Sequence, residues 1–198
     1  MAHRYLYKDL IESLLGPKTP TGPSSSAGEY YKNKYHFQYN IFENNFYIYD
    51  YIDSLSPTTL FEFGCNIGRH LNQFRERNIE VYGIDISERA IEEGRRVFGL
   101  RNIWVGDDTD LPSITKKYDV VYVNSVLCHI PEVDEIIDNL KRIGKIIVIF
   151  EAPDREPQGT AEMAPYWFPR DYEQFGFEKI WEYYANSCKA KYCLYHFE

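Results

Sequence analysis

The sequence predicts a doubly wound α/β fold, a mostly parallel sheet covered by helices, and three observations carry that prediction. Past Pro57, short apolar runs alternate with stretches of helical periodicity. The run Tyr118–Val123 is nearly continuous in its apolar character, as expected of a strand buried on both faces. The first run leads straight into Gly64-Cys65-Asn66-Ile67-Gly68, whose glycines suit a sharp strand-to-helix turn.

The elements follow in order. Leu6, Leu10 and Leu14 recur every fourth residue and predict a short amphipathic helix over Tyr5–Leu15. Gly16–Gly28, rich in Pro, Ser, Thr and Gly, has little to bury and reads as a flexible link, so residues 1–28 stand apart from a domain spanning 29–198. Tyr30–Tyr51 holds seven Tyr and three Phe and ends in a helix, Asn44–Ser54, closed off by Pro57. Two readings of this aromatic segment, 29–56, stand side by side. It is a cap whose rings, Tyr31 and Tyr35 among them, face a ligand and attract a cation, or its rings pack an added helix onto the sheet.

Leu60–Phe63 is the first strand, and Ile67, Leu71 and Phe74 mark one face of the helix after it. Val81–Ile84 is the second strand; Ser87 caps a helix with the stripe Ala90, Ile91, Val97 and Phe98. Asn102–Val105 and Tyr118–Val123 are the third and fourth strands. Val133, Ile136, Ile137 and Leu140 set the next helix, Pro131 fits its first turn, and Lys141 and Arg142 complement its dipole. Gly144 is positioned for a left-handed stop before the fifth strand, Lys145–Phe150. A long loop, Glu151–Trp167, a short helix, Pro169–Phe175, and a hairpin of Phe177–Tyr184 with Lys189–Phe197 complete the chain.

Bulk composition narrows the function. At 198 residues with 44% hydrophobic content the chain can bury one ordinary core. A net charge of -8 opposes partners bound through many phosphates, nucleic acid above all, and favours a small-molecule substrate. No run approaches the ~20 apolar residues that span a bilayer, and Met1–Leu15 carries charges throughout where a signal peptide would be apolar, so the expected location is the cytoplasm. Cys65, Cys128, Cys188 and Cys193 are scattered and form no CxxC pair, which predicts reduced thiols and no metal.

In a doubly wound sheet, ligands sit beyond the carboxyl ends of the strands. The glycine turn is one such place. Asp85, with Ile86 beside it, ends the second strand about 20 residues beyond Gly64, where an acid accepts both hydroxyls of a ribose. Asp107 and Asp108 follow the third strand; Asn124 and Ser125 follow the fourth and lead into Val126-Leu127-Cys128-His129-Ile130-Pro131.

Together these segments resemble the class I S-adenosylmethionine (SAM)-dependent methyltransferases, whose first strand is followed by Asp/Glu-x-Gly-x-Gly-x-Gly. Here it reads Glu62-Phe63-Gly64-Cys65-Asn66-Ile67-Gly68, with Asn66, a residue tolerant of left-handed backbone, at the middle glycine. The resemblance covers Leu55–Phe150. It implies a Rossmann-like sheet with an antiparallel C-terminal strand, SAM as cofactor and S-adenosylhomocysteine (SAH) as product. It implies that Glu62, Gly64, Cys65, Asn66, Gly68, Asp85 and Ile86 line the cofactor site. Asp107 would accept from the adenine amino group, the amide of Asp108 would meet the ring, and Asn124 and Ser125 would lie beside the methionine part.

His129 is the candidate general base, because its unperturbed pKa lies near working pH; the other reading gives it a structural or substrate-positioning role. His3, His36, His70 and His196 read as surface or packed histidines. Tyr166, Trp167 and Arg170 would close over the acceptor with the aromatic segment. Small-molecule O- or N-methylation by a monomer or homodimer is the leading reading. A SAM-binding partner subunit without activity and a nicotinamide-dependent reductase are the alternatives. The reductase leaves Glu62, Asp107 and the His129-Ile130-Pro131 segment as coincidence.

Overall fold

The computed structural model describes residues 43–153, 168, 170–185 and 190–198. The expected helix Tyr5–Leu15, the link Gly16–Gly28, and Tyr31, Tyr35, Tyr166 and Trp167 lie outside the described residues.

The helices are α1 (Glu43–Ser54), α2 (Arg69–Arg75), α3 (Glu88–Phe98) and α4 (Asp134–Ile143). The strands are β1 (Thr59–Phe63), β2 (Glu80–Asp85), β3 (Ile103–Val105), β4 (Tyr118–Asn124), β5 (Gly144–Glu151), β6 (Glu178–Ala185) and β7 (Ala190–Phe197). They form one sheet in the order β3-β2-β1-β4-β5-β7-β6. The first five run parallel, and β7 pairs antiparallel with β5 from Ile147↔Phe197 to Glu151↔Cys193. Because β1 lies between β2 and β4, the chain reverses its winding there, and the crevice beyond β1 and β4 is where such sheets hold ligands.

Period-two alternation splits β4 between two apolar layers. Val120 and Tyr122 face α1, α2 and α3 with Ile48, Leu71, Phe74 and Ile91, whereas Val121 and Val123 face α4 with Ile136, Ile137 and Leu140. The α1 helix buries Ile48, Tyr49 and Ile52 against the sheet, and its exposed Tyr47 stacks on Trp181 of β6 with ring centroids 4.3 Å apart. The described part of the aromatic segment is thus helix packing. In α3 the Ser87 hydroxyl accepts from the Ala90 amide at 3.3 Å, and Ala90, Ile91, Glu93 and Gly94 are buried while Val97 and Phe98 are only partly covered.

Two expectations are corrected. Gly144 is not a left-handed stop: its φ is -104° and ψ 147°, because α4 passes directly into β5. The glycine is needed for close packing, since a Cβ there would lie 2.6 Å from Ile147 Cδ1 and 2.7 Å from Val121 Cγ2. Pro131 is not in the first turn of α4, which begins at Asp134; a 3-10 turn, Leu127–His129, and an irregular stretch intervene. Among the described residues, no helix is long and apolar enough to cross a membrane.

Candidate functional site

The turn after β1 is built by backbone conformation. Gly64, Asn66 and Gly68 all have positive φ, at 75°, 51° and 73°, so the two glycines and the asparagine stand where a left-handed residue is required. Nearly all of the turn's amides are committed internally. Those of Gly64 and Cys65 donate to the Ile84 carbonyl at 2.9 Å, that of Gly68 to Cys65 at 2.8 Å, and that of Asn66 to Asp85 Oδ2 at 2.7 Å.

Asp85 is therefore held by the turn it faces. Its Oδ1 accepts from the Ser87 amide at 2.9 Å, which fixes the plane of the carboxylate between two backbone donors. Burial lifts its pKa above the ordinary carboxylate value, and the Ser87 and Asn66 amides oppose that shift. The side chain remains half-buried, as does the neighbouring Ile86, while Cys65 is buried. Glu62 lies deeper, fully enclosed. Burial pushes its carboxyl well above the usual range despite the nearby Arg69 guanidinium and the Leu71 amide.

Beyond β3, Asp107 is half-buried and caps the 3-10 turn Asp108–Ser113. Its Oδ1 accepts from the Thr109 amide at 2.9 Å and hydroxyl at 2.6 Å, and the Asp107 amide in turn donates to Asp110 Oδ2 at 3.0 Å. Asp108 is exposed. Beyond β4, Asn124 and Ser125 are half-buried; Ser125 has φ 55°, and its hydroxyl donates to Asn124 Oδ1 at 3.1 Å. The turns after β1 and β4 meet: a Cβ on Gly64 would lie 2.3 Å from Val126 Cγ2.

His129 ends the 3-10 turn Leu127–His129 and is half-buried. Three groups hold this turn. Glu151, 1% exposed at the end of β5, accepts from the amides of Val126 at 2.7 Å and Leu127 at 2.9 Å. Arg170 donates to the carbonyls of Leu127 at 2.7 Å and Pro131 at 2.8 Å, and the Phe168 amide donates to that of Cys128 at 2.6 Å. Arg170, which the sequence suggested for acceptor contact, has its guanidinium turned to the backbone of the His129 segment.

Sequence reasoning missed Glu151 and a second group. The rule that singled out residues after strands one to four applies equally to β5, and it points to Glu151. The second group is a polar layer beneath the crevice: His70, 5% exposed, lies 2.8 Å from each of Tyr49 Oη, Arg69 Nη2 and Asn124 Nδ2. Its signal was Arg69-His70 placed on the buried side of a helix next to Leu71, polar residues where apolar ones are the rule.

Residues 61–147 match the family of methyltransferase domains. The chain is 28% identical over 111 residues to the dTDP-4-amino-2,3,4,6-tetradeoxy-D-glucose N,N-dimethyltransferase of Saccharopolyspora spinosa, covering 56% of this chain and 41% of that one. It is 29% identical over 123 residues to the ubiquinone biosynthesis O-methyltransferase of Nitrosomonas europaea, covering 57% and 51%. The chain thus spans about half the length of these curated relatives. Its fold superposes with a TM-score of 0.55 on the magnesium protoporphyrin IX methyltransferase of Synechocystis PCC 6803, solved with bound SAM, at 21% identity over 77% of this chain and 76% of that one.

Proposed function

We propose that this chain is a class I SAM-dependent methyltransferase and transfers a methyl group from SAM to an oxygen or nitrogen of a small-molecule acceptor, a reading supported by the match of residues 61–147 to the methyltransferase domain. The observation that carries the proposal is the bond from the Asn66 amide to Asp85 Oδ2. It aims a carboxylate at the crevice and withdraws an amide from it. With Gly64, Cys65 and Gly68 also committed to protein carbonyls, the turn offers few donors for a pyrophosphate, the group a nicotinamide dinucleotide would place there. SAM has a ribose and an amino acid but no phosphate, and the residues present fit it.

In this reading Asp85 accepts from the ribose hydroxyls and Ile86 packs beside them. Glu62, Gly64, Cys65, Asn66 and Gly68 shape the floor, Asp107 and the Asp108 amide receive the adenine edge, and Asn124 and Ser125 receive the amino-acid end. Bound SAM supplies a methyl group on a cationic sulfur, already activated for in-line displacement. The protein's part is then to align the acceptor and exclude water. His129 takes the proton from an acceptor hydroxyl at its imidazole nitrogen, while a free amine reacts without it. The Glu151 and Arg170 clamps keep His129 in place. The unit over 29–198 is the catalytic domain; within the added segment 29–56, α1 packs on the sheet, and Tyr31 and Tyr35, with Tyr166 and Trp167 of the other loop, are the residues proposed to contact the acceptor.

The charge of -8 supports work on a small molecule over work on nucleic acid, and the reading places that work in the cytoplasm, carried out by a monomer or homodimer. The named relatives suggest where to begin. Incubation with methyl-labelled SAM and a panel of amino-sugar nucleotides and phenols should yield labelled product and stoichiometric SAH with at least one acceptor. Tight SAM binding with transfer to none across amines, hydroxyls and thiols would indicate a binding subunit, and failure to bind SAM would refute the proposal.

A further inference from the structure

Resting on the SAM-binding reading, the structure assigns His70 as a positioning residue that fixes which end of the Asn124 amide faces the cofactor. Nothing in the motif around the glycine turn asks for a histidine in the first turn of α2. Yet its ring joins three elements: Tyr49 from α1, Arg69 from α2 and Asn124 from the end of β4.

The donor inventory sets the tautomer. Arg69 Nη2 and Asn124 Nδ2 both lie 2.8 Å from His70 Nε2, and both groups only donate, so Nε2 carries a lone pair. The ring proton is then on Nδ1 and donates to Tyr49 Oη at 2.8 Å. Burial and the adjacent Arg69 charge hold the ring's pKa well below its ordinary value, so it stays neutral.

The consequence falls on Asn124. With its amino group bonded to His70, its Oδ1 is directed to the other side, where it accepts from the Ser125 hydroxyl at 3.1 Å. What the end of β4 presents is therefore an acceptor oxygen, suited to the protonated amine at the amino-acid end of SAM. A free amide would flip and meet that ammonium with its own N–H groups.

Two replacements separate this role from packing. His70→Gln keeps an acceptor oxygen near the Nε2 position, and His70→Asn keeps a donor near the Nδ1 position but loses the acceptor. The affinity for SAH, measured by calorimetric titration, should stay within about threefold for His70→Gln and fall roughly 10-fold or more for His70→Asn. Thermal unfolding of the two apo variants should shift alike. Equal affinity losses in both, or wild-type affinity in His70→Asn, would overturn the assignment. The folded wild type gives an independent reading through long-range proton–nitrogen NMR of the imidazole. A neutral Nδ1–H tautomer is expected, and an Nε2–H tautomer or a charged ring at neutral pH would refute the assignment. Absence of SAH binding by the wild type would strike the cofactor reading itself and is seen without any variant.

Discussion

At the scale of single residues, the site is organised by groups that hold other groups. Glu151 is the clearest case, a buried carboxylate that satisfies two amides at the root of the His129 turn. Glu151→Ala leaves both donors unpaired and should cost about 2–4 kcal/mol of stability, with SAH affinity less affected than turnover. Glu151→Gln retains an acceptor oxygen and should cost less. Burial raises the Glu151 pKa, outweighing the Cys128 thiol and the amides that lower it. Its favourable contribution is therefore complete below the ordinary glutamate value and lost as pH rises through the raised one. Unfolding midpoints measured from pH 4 to 8 should show Glu151→Gln gaining on the wild type as pH rises, and a gap that closes in the opposite direction would refute that sign. His129→Ala tests the chemistry: turnover of a hydroxyl acceptor should fall by about 10²–10⁴, whereas an amine acceptor and SAH affinity should change little. Equal losses with both acceptors would make His129 a residue that shapes the site without moving a proton.

At the scale of elements, the turn between β1 and α2 joins sequence to function most directly. Its left-handed positions are not equivalent. Gly64→Ala places a methyl against Val126 and in a backbone region unfavourable to it, which should cost about 2–4 kcal/mol and most of the SAH affinity. Asn66→Gly accepts the same backbone geometry and should stay within about 1 kcal/mol of the wild type; chemical denaturation of the two variants checks the contrast. The elements legible in advance were those whose patterning and local chemistry agreed. The Ser87 cap, the unbroken β4 run and the stripe of α4 all follow from periodicity and capping. Gly144 was misread because a glycine after a helix serves equally for a left-handed stop and for close packing, and only the neighbours Val121 and Ile147 decide which. The Tyr49, His70 and Asn124 cluster was legible only in part: Arg69-His70 beside Leu71 marks polar residues on a buried helix face, but the partners come from three elements and no local pattern names them.

At the scale of the whole molecule, the winding reversal at β1 brings the ends of β1, β2 and β4 to one crevice, and the sheet order accounts for where every motif falls. That convergence was legible because the residues ending parallel strands share an edge of the sheet by topology alone. Of the clamps on the far side, Glu151 ends β5 and falls under the same rule, whereas Arg170 comes from a segment after β5 and could not be placed without coordinates. The central claim is that this crevice takes the nucleoside of SAM through Asp85. Calorimetric titration of SAH into the wild type and into Asp85→Ala tests it most directly. Saturable one-to-one binding by the wild type is expected, with a loss of roughly 10-fold or more in a variant that still unfolds cooperatively. Undiminished affinity in Asp85→Ala, or a wild type that binds NADH and ignores SAH, would contradict it.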